Sequence, residues 1–163
     1  MSAAAVLRPL TAADGPVVCA LLYHAIFLPP GQPPLAPAIV DLPEIARYAA
    51  GWGRDGDSGF AAEAPGRAGP LGAVWLRLWP DDGRGYGFVA ADIPELSIAV
   101  LPGQRGQGLG TRLLAAALTT ARARWRGVSL SVAPDNPALR LYQRFGFRVV
   151  GGHAGALVMQ VDL

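Results

Sequence analysis

Hydrophobic and polar residues recur in short, well-punctuated runs along the chain. Residues 5–9 read as a first strand. Thr11–Asp14 reads as a helix start, because Val17, Leu21, Leu22 and Ile26 follow at helical spacing. The proline-rich stretch 29–37 predicts an extended, stiff connector. Asp41 stands where it could cap a second helix, with Leu42, Ile45, Tyr48 and Ala49 on one side. Strands are predicted over 60–64 and 71–79, with a turn region around Trp52 before them and a turn-rich connection over 81–87 after them. Glu95–Leu101 is an apolar strand with β-branched residues. The clearest helix spans 109–125, where Leu109, Leu113, Ala117, Leu118 and Ala121 share one face. Residues 128–132 alternate apolar and Ser, as a half-buried strand does. A short helix over 137–145 and strands over 147–150 and 156–161 close the chain.

The central order is strand, glycine-rich loop, long helix, strand, helix. That is a βαβ crossover, which requires a parallel strand pair. The other connections suit antiparallel neighbours. The expectation is an α/β fold of the α+β mixed-sheet kind, with no internal repeat and no compositional break. One domain over 1–163 follows.

Composition changes the picture mainly by exclusion. The chain has 163 residues, 52% hydrophobic and 16% charged, which suits a packed core. It contains no Lys; all 14 basic side chains are Arg. Schiff-base lysine chemistry and a Walker A phosphate loop are therefore excluded. The net charge of +2 does not by itself argue for nucleic acid. Cys19 is alone, and His24 and His153 stand far apart, so no metal site and no internal disulfide is expected. No leader segment is read at 1–10, and no apolar run reaches membrane-spanning length. A cytoplasmic protein without membrane contact is expected.

The stretch 98–114 carries the chemistry: IAVLPGQRGQGLGTRLL. Gly103, Gly106, Gly108 and Gly110 lead from a strand end into a helix. Glycines let a backbone approach a ligand without Cβ obstruction. The first turn of the helix offers unpaired N–H groups and the positive end of its dipole, and Arg105 and Arg112 add charge. Such a loop can cradle a diphosphate. The dinucleotide fingerprint fails on its glycine spacing, and the Walker loop fails for want of Lys. A coenzyme A diphosphate remains. The same glycines could also serve only as a turn into the helix.

Arg105-Gly106-Gln107-Gly108-Leu109-Gly110 resembles the [QR]-x-x-G-x-[GA] signature of the GNAT superfamily of acyl-CoA N-acyltransferases. Ile98-Ala99-Val100 resembles that family's acyl-CoA-binding strand. The run from Asp135 and Asn136 through Tyr142 to Gly146-Phe147 resembles its second motif. The resemblance extends to the element order of nearly the whole chain. It implies a mostly antiparallel sheet with one splayed parallel pair and helices on both faces.

The resemblance also implies roles. Acetyl-CoA would be the co-substrate, its pantetheine arm on the backbone of Ile98, Ala99 and Val100. The amides from Arg105 and Gly106 through Gln107, Gly108, Leu109 and Gly110 to Thr111 would hold the diphosphate. Glu95 stands where many relatives carry a general base; a solvent-facing position at the strand edge is the plainer alternative. Tyr142 resembles the general acid for the leaving thiolate; a core aromatic is the alternative. Asn136 could cap the last helix, bond the cofactor arm, or both. Ser129 and Ser131 could at most position a water. The acceptor would be a small-molecule or peptide amine, and a homodimer is compatible with the family. Two other classes stay open: a non-catalytic acyl-CoA sensor of the same fold, and an interaction module built on Arg122, Arg124 and Arg126.

Overall fold

The structure is a computed structural model that describes residues 4–80 and 83–163. Residues 1–3, which head the segment read for a leader, and residues 81–82, which open the predicted 81–87 connection, lie outside it. Seven strands form one sheet: β1 (Val6–Pro9), β2 (Ser58–Glu63), β3 (Gly72–Arg77), β4 (Glu95–Val100), β5 (Gly127–Val132), β6 (Arg148–His153) and β7 (Ala156–Asp162). Their order is β1-β2-β3-β4-β5-β7-β6. Every neighbouring pair is antiparallel except β4 and β5, which run parallel. The expected mixed sheet is present.

Four helices cover it: α1 (Gly15–Ala25), α2 (Pro43–Ala46), α3 (Leu109–Ala121) and α4 (Ala138–Arg144). Strand alternation sends successive side chains to opposite faces. Leu96, Ile98 and Val100 pack with α3, α4 and Val128, Leu130 and Met159 in the larger core. Ala73, Trp75 and Ala99 face the other way and pack against Val18, Leu21 and Leu22 of α1. The helices thus lie on both faces.

Local signals explain most boundaries. Thr11 and Asp14 form a reciprocal cap before α1: Thr11 accepts from Ala13 N–H, and Asp14 accepts from Thr11 N–H at 2.7 Å. The second helix departs from expectation. Asp41 ends a short 3-10 segment (Pro37–Asp41) instead of capping α2, whose first position is Pro43. A proline at that position starts a helix with its φ already set and has no N–H to cap. The helix then lasts one turn and passes through turns to Gly51. The long helix α3 stops at Ala121, four residues short of the expected Trp125, where bonds tighten to the 3-10 pattern at Ala123 and Arg124. Among the described residues, no helix is long and apolar enough to cross a membrane.

A buried ion pair holds the segment after α2 to the sheet. Arg77 on β3 is 1% exposed. It donates to both carboxylate oxygens of Asp57, at 3.0 and 2.8 Å, and to the carbonyls of Arg47 and Ala50 at 2.8 and 2.6 Å. Its guanidinium lies 5.6 Å from the Trp52 ring centre. Trp75, fully buried as its place inside a strand predicts, donates from Nε1 to the Tyr48 carbonyl at 2.9 Å. Two side chains of one strand thereby fix the backbone around Tyr48. Arg77→Met would strand the buried Asp57 carboxylate and is expected to cost about 3–5 kcal/mol. Equilibrium unfolding in urea measures it; a loss below about 1 kcal/mol would show that Asp57 finds water instead.

Candidate functional site

The site begins where a ladder ends. The parallel strands β4 and β5 are in register at one pair, Glu95 and Ser129. Ser129 N–H bonds the Pro94 carbonyl at 3.0 Å, and pairing stops after Glu95. Backbone groups alternate between the two edges of a strand. On β4 the residues bonded toward β3 include Leu101, which donates to Leu71 at 2.9 Å. Leu96, Ile98 and Val100 therefore turn their N–H and C=O groups toward β5, and for Ile98 and Val100 that side is open. The Val100 carbonyl is taken by Arg105 Nε at 2.9 Å.

The opening runs into a groove of about 710 Å3. Ile98, Val100 and Tyr142 line it, as do Gly106, Gly108 and Thr111. Its outer wall is the end of α1 and the connector after it, tied together by the Tyr23 hydroxyl, which donates to the Leu35 carbonyl at 2.7 Å. At the far end lies the loop before α3. Gly108 sits at the helix N-cap with φ 78°, a left-handed conformation that suits only glycine well. The first bond of the helix is Arg112 N–H to the Gly108 carbonyl at 3.1 Å. Among the described residues, the amides from Gly106 to Thr111 have no hydrogen-bond partner. Arg105 is not aimed outward. Its Nε holds the Val100 carbonyl and its Nη2 reaches the His24 carbonyl at 3.4 Å, so it ties the loop to the open strand and to the end of α1. Arg112 donates to the Ala5 carbonyl at 2.8 Å.

Tyr142 of α4 is 6% exposed and packs edge-on against Phe147. Its hydroxyl has no hydrogen-bond partner among the described residues. Burial pushes its phenol up to about 12, so it keeps its proton at neutral pH. Asn136 also lines the groove, and its Oδ1 accepts from Ala138 N–H at 2.9 Å. The start of α4 is thus held by Asn136, whose side-chain NH2 has no hydrogen-bond partner among the described residues.

Glu95 lies on the opposite face of the sheet. It does not face solvent, as the alternative reading had it: it is 2% exposed. Oε1 accepts from the Tyr48 hydroxyl and from Gly87 N–H, each at 2.9 Å, and Oε2 accepts from Trp79 Nε1 at 2.7 Å. Burial pushes its carboxyl up to about 7, against the downward pull of those three bonds. The Gly85–Phe88 loop covers it. Beyond that loop lies a second cleft of about 370 Å3, between Tyr86, Phe88 and the Val150–His153 stretch of β6, with Val158 in its lining. Among the described residues, no group of three or more His, Cys, Asp or Glu side chains comes together.

The fold has known counterparts. Residues 24–147 match the family described as Acetyltransferase (GNAT) family. The chain belongs to the GNAT acetyltransferase family. An 81-residue stretch, 48% of this chain, is 43% identical to mycothiol acetyltransferase of Thermobispora bispora; it covers 26% of that relative, so the match spans about a quarter of the relative's length. The fold is shared with an N-acetyltransferase from Staphylococcus aureus Mu50, at TM-score 0.67 and 21% identity over 97% of this chain and 98% of that one. It is shared too with a GNAT family acetyltransferase from Brucella melitensis in complex with acetyl-CoA, at TM-score 0.59 and 20% identity over 98% and 88% of the two chains.

Within the GNAT frame the sequence-derived residues divide into three groups. Ile98, Val100, Arg105, Gly106, Gly108, Leu109, Gly110, Thr111, Asn136 and Tyr142 share the large groove. Gln107 is exposed on the same loop outside the groove lining, and Ala99 turns its side chain to α1. Glu95 is separated from the groove by the sheet. Sequence reasoning missed the three groups that hold Glu95, namely Tyr48, Trp79 and the amide of Gly87. The Gly85-Tyr86-Gly87 spacing was the available signal. A Cβ on Gly87 would lie 2.6 Å from the Leu130 carbonyl carbon and 2.7 Å from Ser131 N, both backbone atoms of β5. Gly87→Ala is therefore expected to lift the loop and cost about 1–3 kcal/mol in urea unfolding. Unchanged stability would mean that the loop does not seat on β5.

Proposed function

We propose that this chain is an N-acetyltransferase that carries the acetyl group of acetyl-CoA to a small-molecule or peptide amine by direct attack in a ternary complex. One observation carries the reading. Ile98 and Val100 on the open edge of β4, Tyr142, and Gly106 and Gly108 to Thr111 of the loop with unpaired amides line one continuous groove. An elongated ligand with polar groups along its length and a diphosphate at one end fits that order of donors. Membership of the family and the acetyl-CoA complex of the Brucella melitensis relative support it.

Acetyl-CoA, when bound, supplies an acetyl group already activated as a thioester. The chain's own groups do the rest. The amides from Gly106 to Thr111, at the positive end of α3, would hold the diphosphate, with the Arg105 and Arg112 charges beside them. The Ile98 backbone and the Val100 N–H would take the pantetheine arm as an added strand. A strand N–H aimed at the thioester oxygen would steady the charge that develops there. The free NH2 of Asn136 would bond the same arm. Tyr142 would protonate the departing thiolate, since burial keeps its phenol protonated at neutral pH. Glu95 would take the acceptor's proton. A carboxyl at about 7 is half ionised at neutral pH, where a base has both capacity and driving force. The acceptor would approach from the Glu95 face and the acyl donor from the Tyr142 face, meeting where β4 and β5 part.

The experiment is a panel of amines with acetyl-CoA, read by thiol release, alongside calorimetry of acetyl-CoA binding. Heat of binding and thiol release with at least one amine are expected; absence of both removes the assignment. Tyr142→Phe should lower kcat by about a hundredfold with acetyl-CoA affinity unchanged. An unaltered kcat would remove the acid role. The base must be ionised to work, so kcat/KM should fall about tenfold per pH unit below about 7. In Glu95→Gln that limb should vanish along with most of the rate. A variant whose profile overlays the parent would place the base elsewhere.

A further inference from the structure

Glu95 cannot meet an amine directly while its loop is seated. The carboxylate is 2% exposed, and the backbone of Gly85 and Gly87 lies against its two oxygens. Three donors reach it: the Gly87 amide, the Trp79 indole and the Tyr48 hydroxyl. The first two are N–H groups that keep their protons throughout the range in which a protein stays folded. The phenol is different in kind. It can hand its proton to the carboxylate and accept another on its oxygen. Tyr48 is half-buried, where Glu95 is closed off. Its oxygen already accepts from Tyr86 N–H at 2.7 Å, which leaves one lone pair unused.

We propose that Tyr48 is the relay through which Glu95 deprotonates the acceptor. The proposal rests on the reading of Glu95 as the base. One ammonium proton of the acceptor moves to the Tyr48 oxygen while the Tyr48 hydroxyl proton moves to Glu95 Oε1. The acceptor becomes a neutral amine, Glu95 a neutral carboxylic acid, and Tyr48 is unchanged. Nothing else is consumed.

The fold holds Tyr48 for this work. Trp75 Nε1 bonds its carbonyl at 2.9 Å, and Arg77 bonds the carbonyls on either side, of Arg47 and Ala50. Its ring meets Trp79 edge-on at 5.0 Å. The charged groups near the pair among the described residues include Arg47 beyond α2, Arg77 on β3, which is paired with Asp57, and Arg54 on the Trp79 ring at 6.0 Å. Of the three donors, Tyr48 is the one that links the enclosed carboxylate to a less buried position.

The test compares two donors to one carboxylate. Tyr48→Phe keeps the ring and removes the hydroxyl. Trp79→Phe removes a donor that cannot relay. With an amine that the parent acetylates, Tyr48→Phe should lower kcat/KM by about a hundredfold or more. Trp79→Phe should cost about threefold, and both should bind acetyl-CoA as the parent does by calorimetry. Tyr48→Phe combined with Glu95→Gln should be no slower than the slower single variant, because both cut one path. In mixtures of H2O and D2O the parent rate should bow with deuterium content, as two protons in flight require, and the Tyr48→Phe rate should fall linearly. Equal losses from Tyr48→Phe and Trp79→Phe would reduce Tyr48 to a positioning group and overturn the relay. So would a Tyr48→Phe rate within threefold of the parent. A parent that releases no thiol with any amine would instead sink the acetyl-transfer reading, and the relay with it.

Discussion

Everything in the site follows from the point at which β4 and β5 stop pairing. A parallel pair in mid-sheet ordinarily spends its backbone groups on its neighbours. Here the two strands meet at Glu95 and Ser129 and then part. The groups left on the β4 edge need a partner, because an unpaired buried amide or carbonyl costs free energy. One of them, the Val100 carbonyl, is satisfied from within by Arg105. The rest face the groove. The same parting leaves the β4 edge open to the groove on the α3 and α4 face.

The two faces use different chemistry. On the α3 and α4 face the donors are main-chain amides and one tyrosine hydroxyl, and the floor is aliphatic. Such a surface suits a long, flexible, anionic ligand held along its length. On the α1 and α2 face a single carboxylate is packed among aromatics and glycine backbone. Burial raises its proton affinity while three hydrogen bonds restrain that rise. The balance leaves it near neutrality, where a proton can be gained and lost cheaply. Glycine matters to both faces for separate reasons. Gly108 takes a backbone conformation that opens the helix end, whereas Gly87 simply has no Cβ to strike β5.

Rigidity around the carboxylate comes from β3. Trp75 and Arg77 project from one strand into the segment after α2 and hold its carbonyls. That segment has one helical turn and little regular structure of its own. It owes its shape to those bonds and to the buried pair with Asp57. The turn that follows a one-turn helix of low intrinsic stability can therefore present Tyr48 to Glu95 without drifting. The corresponding sequence pattern was read as a longer helix, because apolar residues at helical spacing describe which side is buried and not how many turns form.

The sequence by itself determined the order of the elements, the parallel crossover, the glycine loop at a helix start and the residues that the GNAT motifs align. These are local properties: periodicity, turn residues and short-range spacing act within a few residues of one another. It also named Glu95 and Tyr142. The tertiary structure alone decided that Glu95 is enclosed, that Tyr48, Trp79 and Gly87 enclose it, and that Arg105 turns inward to the Val100 carbonyl. Tyr48 and Trp79 lie 47 and 16 residues from Glu95 in the chain. Burial and hydrogen bonding depend on what the folded chain brings within about 3 Å, and no local pattern encodes that distance.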